Sequence, residues 1–308
     1  VVEVAIMVEG QDGLNWPRWQ RFAKAVEDLG FIGLYRSDHF THPHPPDRDS
    51  LELWVSMTWL ASHTRRIEFG PLVSPISFRD PVMTARMGSQ IDDLSGGRLT
   101  LGLGAGWQER EHTNFGYDLL DLDRRFARFQ EGLEVVTGLL HNDDPVTLRG
   151  EFFNLSEAIL LPRPQRKGGP PILVGGNGPQ RTLPLVARYA DEWNAFHITP
   201  DEFAKRNQQL DELLGAGGRQ PNEVRRSLMT ELVFGKTEKE LYQRVETRIP
   251  GQTADVLREH GAVVGTPPEI IDQLGRLAEV GVQRVMLQWL DLDDMDSLQA
   301  LAEATLGR

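Results

Sequence analysis

The residues with the most chemistry in them stand where apolar runs stop. Phe31-Ile32-Gly33-Leu34-Tyr35 reads as a buried strand and passes directly into Arg36-Ser37-Asp38-His39-Phe40. A carboxylate beside an imidazole at such a place is a candidate proton-handling pair, because neutral imidazole both donates and accepts. The plainer reading is an N-cap Asp next to a surface His. Farther along, Gly102-Leu103-Gly104-Ala105-Gly106-Trp107 sets glycines at alternate positions. Small residues there leave room for a flat ring against a strand end, with Trp107 as a wall; the alternative is that they relieve crowding inside a packed sheet. Gly175-Gly176-Asn177-Gly178 lies between a strand and a helix. Glycines allow close backbone approach, and a helix N-terminus offers free N–H groups to a phosphate; Arg181 adds charge, and the alternative is a tight turn that needs positive φ. His42, His44 and His112 have no H-x-x-x-H spacing and no carboxylate cluster beside them, so no metal is expected.

These residues need a frame to bring them together. Strand-like and helix-like segments alternate along the chain. Strands are expected at 2–8, 31–35, 67–73, 99–104, 172–174, 193–196, 228–234 and 282–289. Helices between them carry apolar residues on one face, as in Phe22, Val26 and Leu29, or Phe126, Phe129, Leu133, Val136 and Leu140. Capping boxes mark helix starts at Thr199-Pro200-Asp201-Glu202 and Thr266-Pro267-Pro268-Glu269, and without Pro at Thr237-Glu238-Lys239-Glu240. Val146-Thr147-Leu148 and Phe152-Phe153-Asn154-Leu155 read as a β-hairpin inserted after the fourth helix. Near-continuous apolar strands alternating with amphipathic helices imply a parallel sheet covered by helices. Eight such units suit an α/β fold of the (β/α)8 TIM barrel type, as a single domain over residues 1–308. A G-x-G-x-x-G after the first strand, the sign of an open doubly wound sheet, is absent. In a barrel the C-terminal strand ends carry the site, and Asp38-His39, the Pro71–Pro75 segment, Gly102–Trp107 and Gly175–Gly178 all fall there.

Composition narrows the partners. The chain has 308 residues, 40% hydrophobic and 25% charged, with a net charge of −12 and no cysteine. Thiolate catalysis, disulfides and Cys-ligated metals are excluded. Excess acid and scattered basic residues argue against nucleic acid. No apolar run approaches the ~18 residues of a membrane span, and Val1-Val2-Glu3-Val4-Ala5-Ile6 reads as a strand rather than a signal peptide. The expectation is a cytoplasmic protein acting on a small-molecule substrate.

Ser37-Asp38-His39-Phe40, Pro71–Pro75, Gly102–Trp107 and Gly175–Gly178 occur in the order seen in the bacterial luciferase-like family. Over essentially its whole length the chain resembles that family, most of all the branch using the deazaflavin coenzyme F420. The resemblance implies a flavin-type cofactor at the strand ends, F420 first and FMN as the alternative, and a homodimer. It implies catalytic places for His39, Trp107 and Glu109. It implies cofactor contacts from Asp38, His39, Leu72, Val73, Ser74, Gly104, Ala105, Gly106, Arg110, Gly175, Gly176, Asn177 and Gly178, with a non-proline cis peptide and a bulge in the Pro71–Ser74 segment backing the ring. Trp107 and Phe196 would shape the substrate pocket. Some sugar-phosphate dehydrogenases of this family carry an acid where Trp107 stands, so their acid/base scheme does not transfer. Three functions follow for comparison: hydride transfer with F420, an FMN-dependent monooxygenase, and a non-catalytic flavin-binding barrel.

Overall fold

The computed structural model describes residues 2–307. Its strands are β1 (Glu3–Val8), β2 (Gly33–Arg36), β3 (Glu68–Pro71), β4 (Ser74–Pro75), β5 (Leu101–Gly104), β6 (Val146–Arg149), β7 (Asn154–Ala158), β8 (Ile172–Gly175), β9 (Glu192–Phe196), β10 (Arg225–Phe234), β11 (Val263–Gly265) and β12 (Arg284–Gln288). The main sheet runs β3-β2-β1-β12-β10-β9-β8-β5-β4, with every neighbour parallel. It closes on itself because β3 and β4 are two pieces of one barrel strand. The Phe69 N–H donates to the Arg98 carbonyl at 3.1 Å, and the Ile76 N–H to the Gly104 carbonyl at 2.9 Å. The result is the expected (β/α)8 TIM-type barrel.

Strand alternation sorts the side chains. Ala5, Met7, Tyr35, Leu72, Leu173, Met229 and Met286 form a cluster inside the barrel, while the opposite strand faces join the helices in a much larger core. The first helix, Trp16–Leu29, shows how local chemistry sets an element. The Asn15 side chain caps it by accepting the Arg18 N–H, Pro17 occupies its first turn, and Gly30 ends it at φ 95°. Trp19, Phe22, Ala23 and Val26 bury one face, and each large apolar side chain contributes about 1.5–3 kcal/mol.

The structure departs from the sequence reading in four places. The expected strand 67–73 is split into β3 and β4, and between them the Leu72-Val73 peptide is cis, as the resemblance implied. The hairpin forms, but its second strand starts at Asn154 rather than Phe152. The Glu131 carboxylate, reaching from helix Leu122–His141, accepts the N–H groups of Glu151, Phe152 and Phe153 at 2.9, 2.8 and 3.1 Å and holds them in the turn. The boxes at Thr199 and Thr266 are complete. At Thr237 only half forms: Thr237 accepts the Glu240 N–H, while the Glu240 carboxylate turns to the Lys236 N–H and Arg244. Finally β11, three residues long, pairs with the outer end of β10; so short a run leaves no periodicity to read.

Candidate functional site

At the end of β2 the chain delivers Asp38 and His39 in different directions. Asp38 is buried at 2% exposure. Its carboxylate receives Arg79 through Nε at 2.9 Å and Nη2 at 2.7 Å, and the Ser74 hydroxyl at 2.9 Å. Arg79 also meets Glu52 and lies over the Phe40 and Phe78 rings. Asp38 and Ser74, both expected to touch a ring, are therefore enclosed by one another and by Arg79. They lock the end of β2 to β4.

His39 turns toward helix Glu109–Phe115. Its Nδ1 is 2.9 Å from Glu111 Oε1, and the other Glu111 oxygen accepts the Phe40 N–H at 3.1 Å. Glu111 is 1% exposed and the His39 side chain 14%. Burial draws the imidazole pKa down. The hydrogen bond and charge of Glu111, with Glu9 and Asp38 behind it, outweigh burial and hold the pKa above its ordinary value. With Nδ1 engaged, Nε2 is the nitrogen left for a ligand. The exposed Trp107 ring stands edge-on to the imidazole, 5.5 Å between centroids.

The acid beside His39 is Glu111, not Glu109. Both lie on helix Glu109–Phe115, and two residues rotate a side chain by roughly 200°, which leaves Glu109 exposed. Arg110 points to a neighbouring loop, binding Asp47 twice at 2.7 Å and the His42 carbonyl at 2.7 Å. Sequence reasoning missed Glu111 as a partner because its phase depends on where that short helix starts.

The alternating glycines serve the bulge. A Cβ on Gly102 would lie 2.1 Å from the Pro71 carbonyl, one on Gly104 2.5 Å from Val73 Cγ2, and one on Gly175 3.1 Å from Val73 Cγ1. The packing explanation thus accounts for them, and the expected empty space against the strand is filled by Val73. Leu72 belongs to the lumen cluster, and half-buried Val73 packs against it. Gly106, at φ 85°, allows Ser77 Oγ to approach within 2.2 Å of where a Cβ would stand, and Ala105 beside it is half-buried.

In the loop after β8, Gly176 sits at φ 128° and its N–H donates to the Asn194 carbonyl at 2.9 Å. Its amide is therefore not free for a phosphate. The Asn177 side chain pairs with both backbone groups of Phe196, at 2.6 and 2.9 Å. It positions Phe196, an exposed aromatic stacked on His197. The Gly178 carbonyl starts helix Thr182–Tyr189 by accepting from Thr182 and Leu183. Among the described residues, the amides of Asn177, Gly178, Gln180 and Arg181 have no protein acceptor. These four N–H groups lie in the loop that leads into helix Thr182–Tyr189.

Known proteins resemble this chain in sequence and in fold. The profile of the family described as luciferase-like monooxygenase matches residues 4–262. The 4-hydroxyprotoasukamycin monooxygenase of Streptomyces nodosus subsp. asukaensis is 27% identical, over 94% of this chain and 85% of that protein. The F420-dependent glucose-6-phosphate dehydrogenase of Kineococcus radiotolerans is 26% identical, over 92% and 81%. Among solved structures, an F420-dependent secondary alcohol dehydrogenase in complex with an F420-acetone adduct superposes with a TM-score of 0.84 at 18% identity, covering 98% of each chain. A monooxygenase from Streptomyces bottropensis reaches 0.82 at 20% identity and 99% coverage of each. At these identities the structural likenesses establish the fold.

Proposed function

The chain belongs to the luciferase-like monooxygenase family, and we propose that within it the protein is an oxidoreductase that transfers a hydride between the deazaflavin coenzyme F420 and a small organic substrate. The observation that carries this reading is the His39–Glu111 pair: an imidazole of raised proton affinity with one nitrogen free, just beyond the C-terminal end of β2. The residues fit such a cofactor. Val73 offers an apolar surface to a flat ring, and the amides of Asn177, Gly178, Gln180 and Arg181 suit a phosphate.

When bound, the deazaflavin supplies or takes the hydride. The chain's own work is orientation and proton handling. Reduction of a C=O or C=N bond puts a hydride on carbon, moves the π pair to the heteroatom, and leaves that atom to take a proton. His39 holds this proton on Nε2, with Glu111 sustaining the charged form. Trp107 and Phe196 are exposed at the C-terminal ends of β5 and β9, where they would limit substrate shape. The similarity to the Kineococcus radiotolerans dehydrogenase, over nearly the whole chain, supports F420.

A second reading, an FMN-dependent monooxygenase, draws on the similarity to the Streptomyces nodosus enzyme. A paired titration with F420 and with FMN, at one salt and pH, separates the two. The expected result is a preference for F420 of about tenfold or more, about 1.4 kcal/mol. A preference for FMN, with oxygen uptake by the reduced complex, overturns the first reading in favour of the second.

A further inference from the structure

A cavity of about 520 Å³ lies between the C-terminal part of β10, the end of β12 and helix Glu238–Arg248. Small-molecule sites typically measure about 300–1,000 Å³. Its apolar lining comes from Leu232, Val233 and Phe234 on β10 and from Trp289 and Leu290 after β12. Gln288, in register with Glu231, joins it to the His39 side of the mouth. The Gln288 Nε2 donates to Glu9 at 2.6 Å, and Glu9 is one of the charges that raise the His39 pKa. A carboxylate only accepts, so that bond fixes which way the Gln288 amide points. Its Oε1 is left as an uncharged acceptor with no partner among the described residues.

The charges that line this cavity answer one another. Glu240, Arg244 and Arg248 are spaced four apart, so they form one stripe along the helix. Arg244 binds Glu240 at 2.8 Å and also Asp294, with the Ser297 hydroxyl at 2.9 Å. Arg248 Nε binds Glu231, which reaches across from β10. Asp291, the remaining charged group of the lining, is exposed and keeps its hydration. A charged ligand entering here sheds water and meets no free countercharge. An uncharged one meets apolar surface and the Gln288 acceptor. Glu231 is 15% exposed but Arg248 is 45% exposed, so solvent screens the pair and the discrimination is moderate.

We infer that the Arg248–Glu231 pair sets the charge preference of the substrate: closed on itself, it makes this cavity select uncharged molecules over anions and cations alike. The inference rests on the proposed function, under which a cavity beside His39 receives the substrate. Either half alone would be a recognition group. A free guanidinium takes a carboxylate or phosphate, and a free carboxylate takes an ammonium. Removing one partner therefore redirects selectivity in a known direction. Arg248 also lines an adjoining cavity of about 320 Å³ together with Asp12. Asp12 competes for a released Arg248, so the variant that frees Glu231 gives the larger change.

The test titrates three probes of matched shape, benzyl alcohol, benzylamine and benzoate, calorimetrically into the purified protein at neutral pH, with and without F420. Benzyl alcohol is expected to bind more tightly than either charged probe by about tenfold. Arg248→Met should raise benzylamine to the level of the alcohol or above it and leave benzoate weak. Glu231→Gln should raise benzoate and leave benzylamine weak. Thr247→Trp, which narrows the cavity from an exposed helix position, should weaken the alcohol. Gains of opposite charge in the two variants cannot come from lost stability, which would weaken every probe. No measurable binding of benzyl alcohol, a charged probe preferred by the unaltered protein, an order of probes that either charge variant leaves unchanged, or indifference to Thr247→Trp would each overturn the inference. Failure of F420 to bind, with these preferences intact, would count against the proposed function and leave the charge preference standing.

Discussion

At the N-terminal end of the barrel, charge is answered by charge. Arg284 is fully buried, with Nη2 3.0 Å from Glu3 and 2.7 Å from Glu68, and Nη1 donating to the Tyr35 hydroxyl at 2.7 Å and lying 3.7 Å from Glu192. Arg225 stands 3.7 and 3.8 Å from Glu3 and Glu68. At the C-terminal end His39 meets one carboxylate at 2.9 Å and keeps a nitrogen in reserve. Glu9 there meets only amides. Arg284 and its carboxylates are closed into a network at one end, whereas His39 and Glu9 are left incomplete at the other. A closed network holds strands together. An incomplete one costs stability and leaves capacity for a ligand, which is the division expected of a barrel's two faces.

The largest effect should come from opening the closed end. Arg284→Met leaves Glu3, Glu68 and Glu192 facing each other without their central cation. A loss of about 3–5 kcal/mol is expected, read from urea denaturation. A loss no larger than that of a surface pair, about 1 kcal/mol or less, would remove the contrast between the two ends.

The next effect tests whether the open end is built to shape. Gly104→Ala puts a methyl 2.5 Å from Val73 Cγ2. Displacing the bulge should cost about 1–3 kcal/mol and weaken F420 binding in parallel. Unchanged stability and cofactor affinity would show that the glycine is not what seats Val73.

The smallest effect concerns the proton. Because the His39 pKa is raised in the fold, the stability it contributes is fully present below its unfolded value of about 6.5. That contribution is lost as pH rises through the higher folded value. Glu111→Gln removes the main source of the shift. The variant should be less stable by about 1 kcal/mol, most clearly on the acid side, with the gap narrowing as pH rises through the His39 titration. Its activity limb for protonated His39 should move to lower pH. Stability curves that run parallel across this range would show that Glu111 does not govern the charge of His39.

Part of the candidate site is legible in the sequence. His39 stands out because an apolar strand ends just before it, and Trp107 because it closes a glycine-rich strand end. Asp38 was read as its companion, yet its partner Arg79 lies 41 residues away, beyond any local pattern. The Gly176 amide was counted as free, yet Asn194 on the neighbouring strand takes it. The glycines of β5 mark a demand for space in the sequence; that Pro71 and Val73 fill it is visible only in the fold.

The sequence by itself determined the alternation of strands and helices, the complete caps at Thr199 and Thr266, and therefore the kind of barrel. Those properties rest on period, propensity and hydrogen bonds within a few residues, so they are written locally. Only the tertiary structure decided which carboxylate meets His39, which amides remain for an anion, and which charges are left without a partner. Those depend on helix phase and on strands that are distant in the chain but adjacent in the barrel, where a rotation of two residues or one cross-strand hydrogen bond changes the outcome.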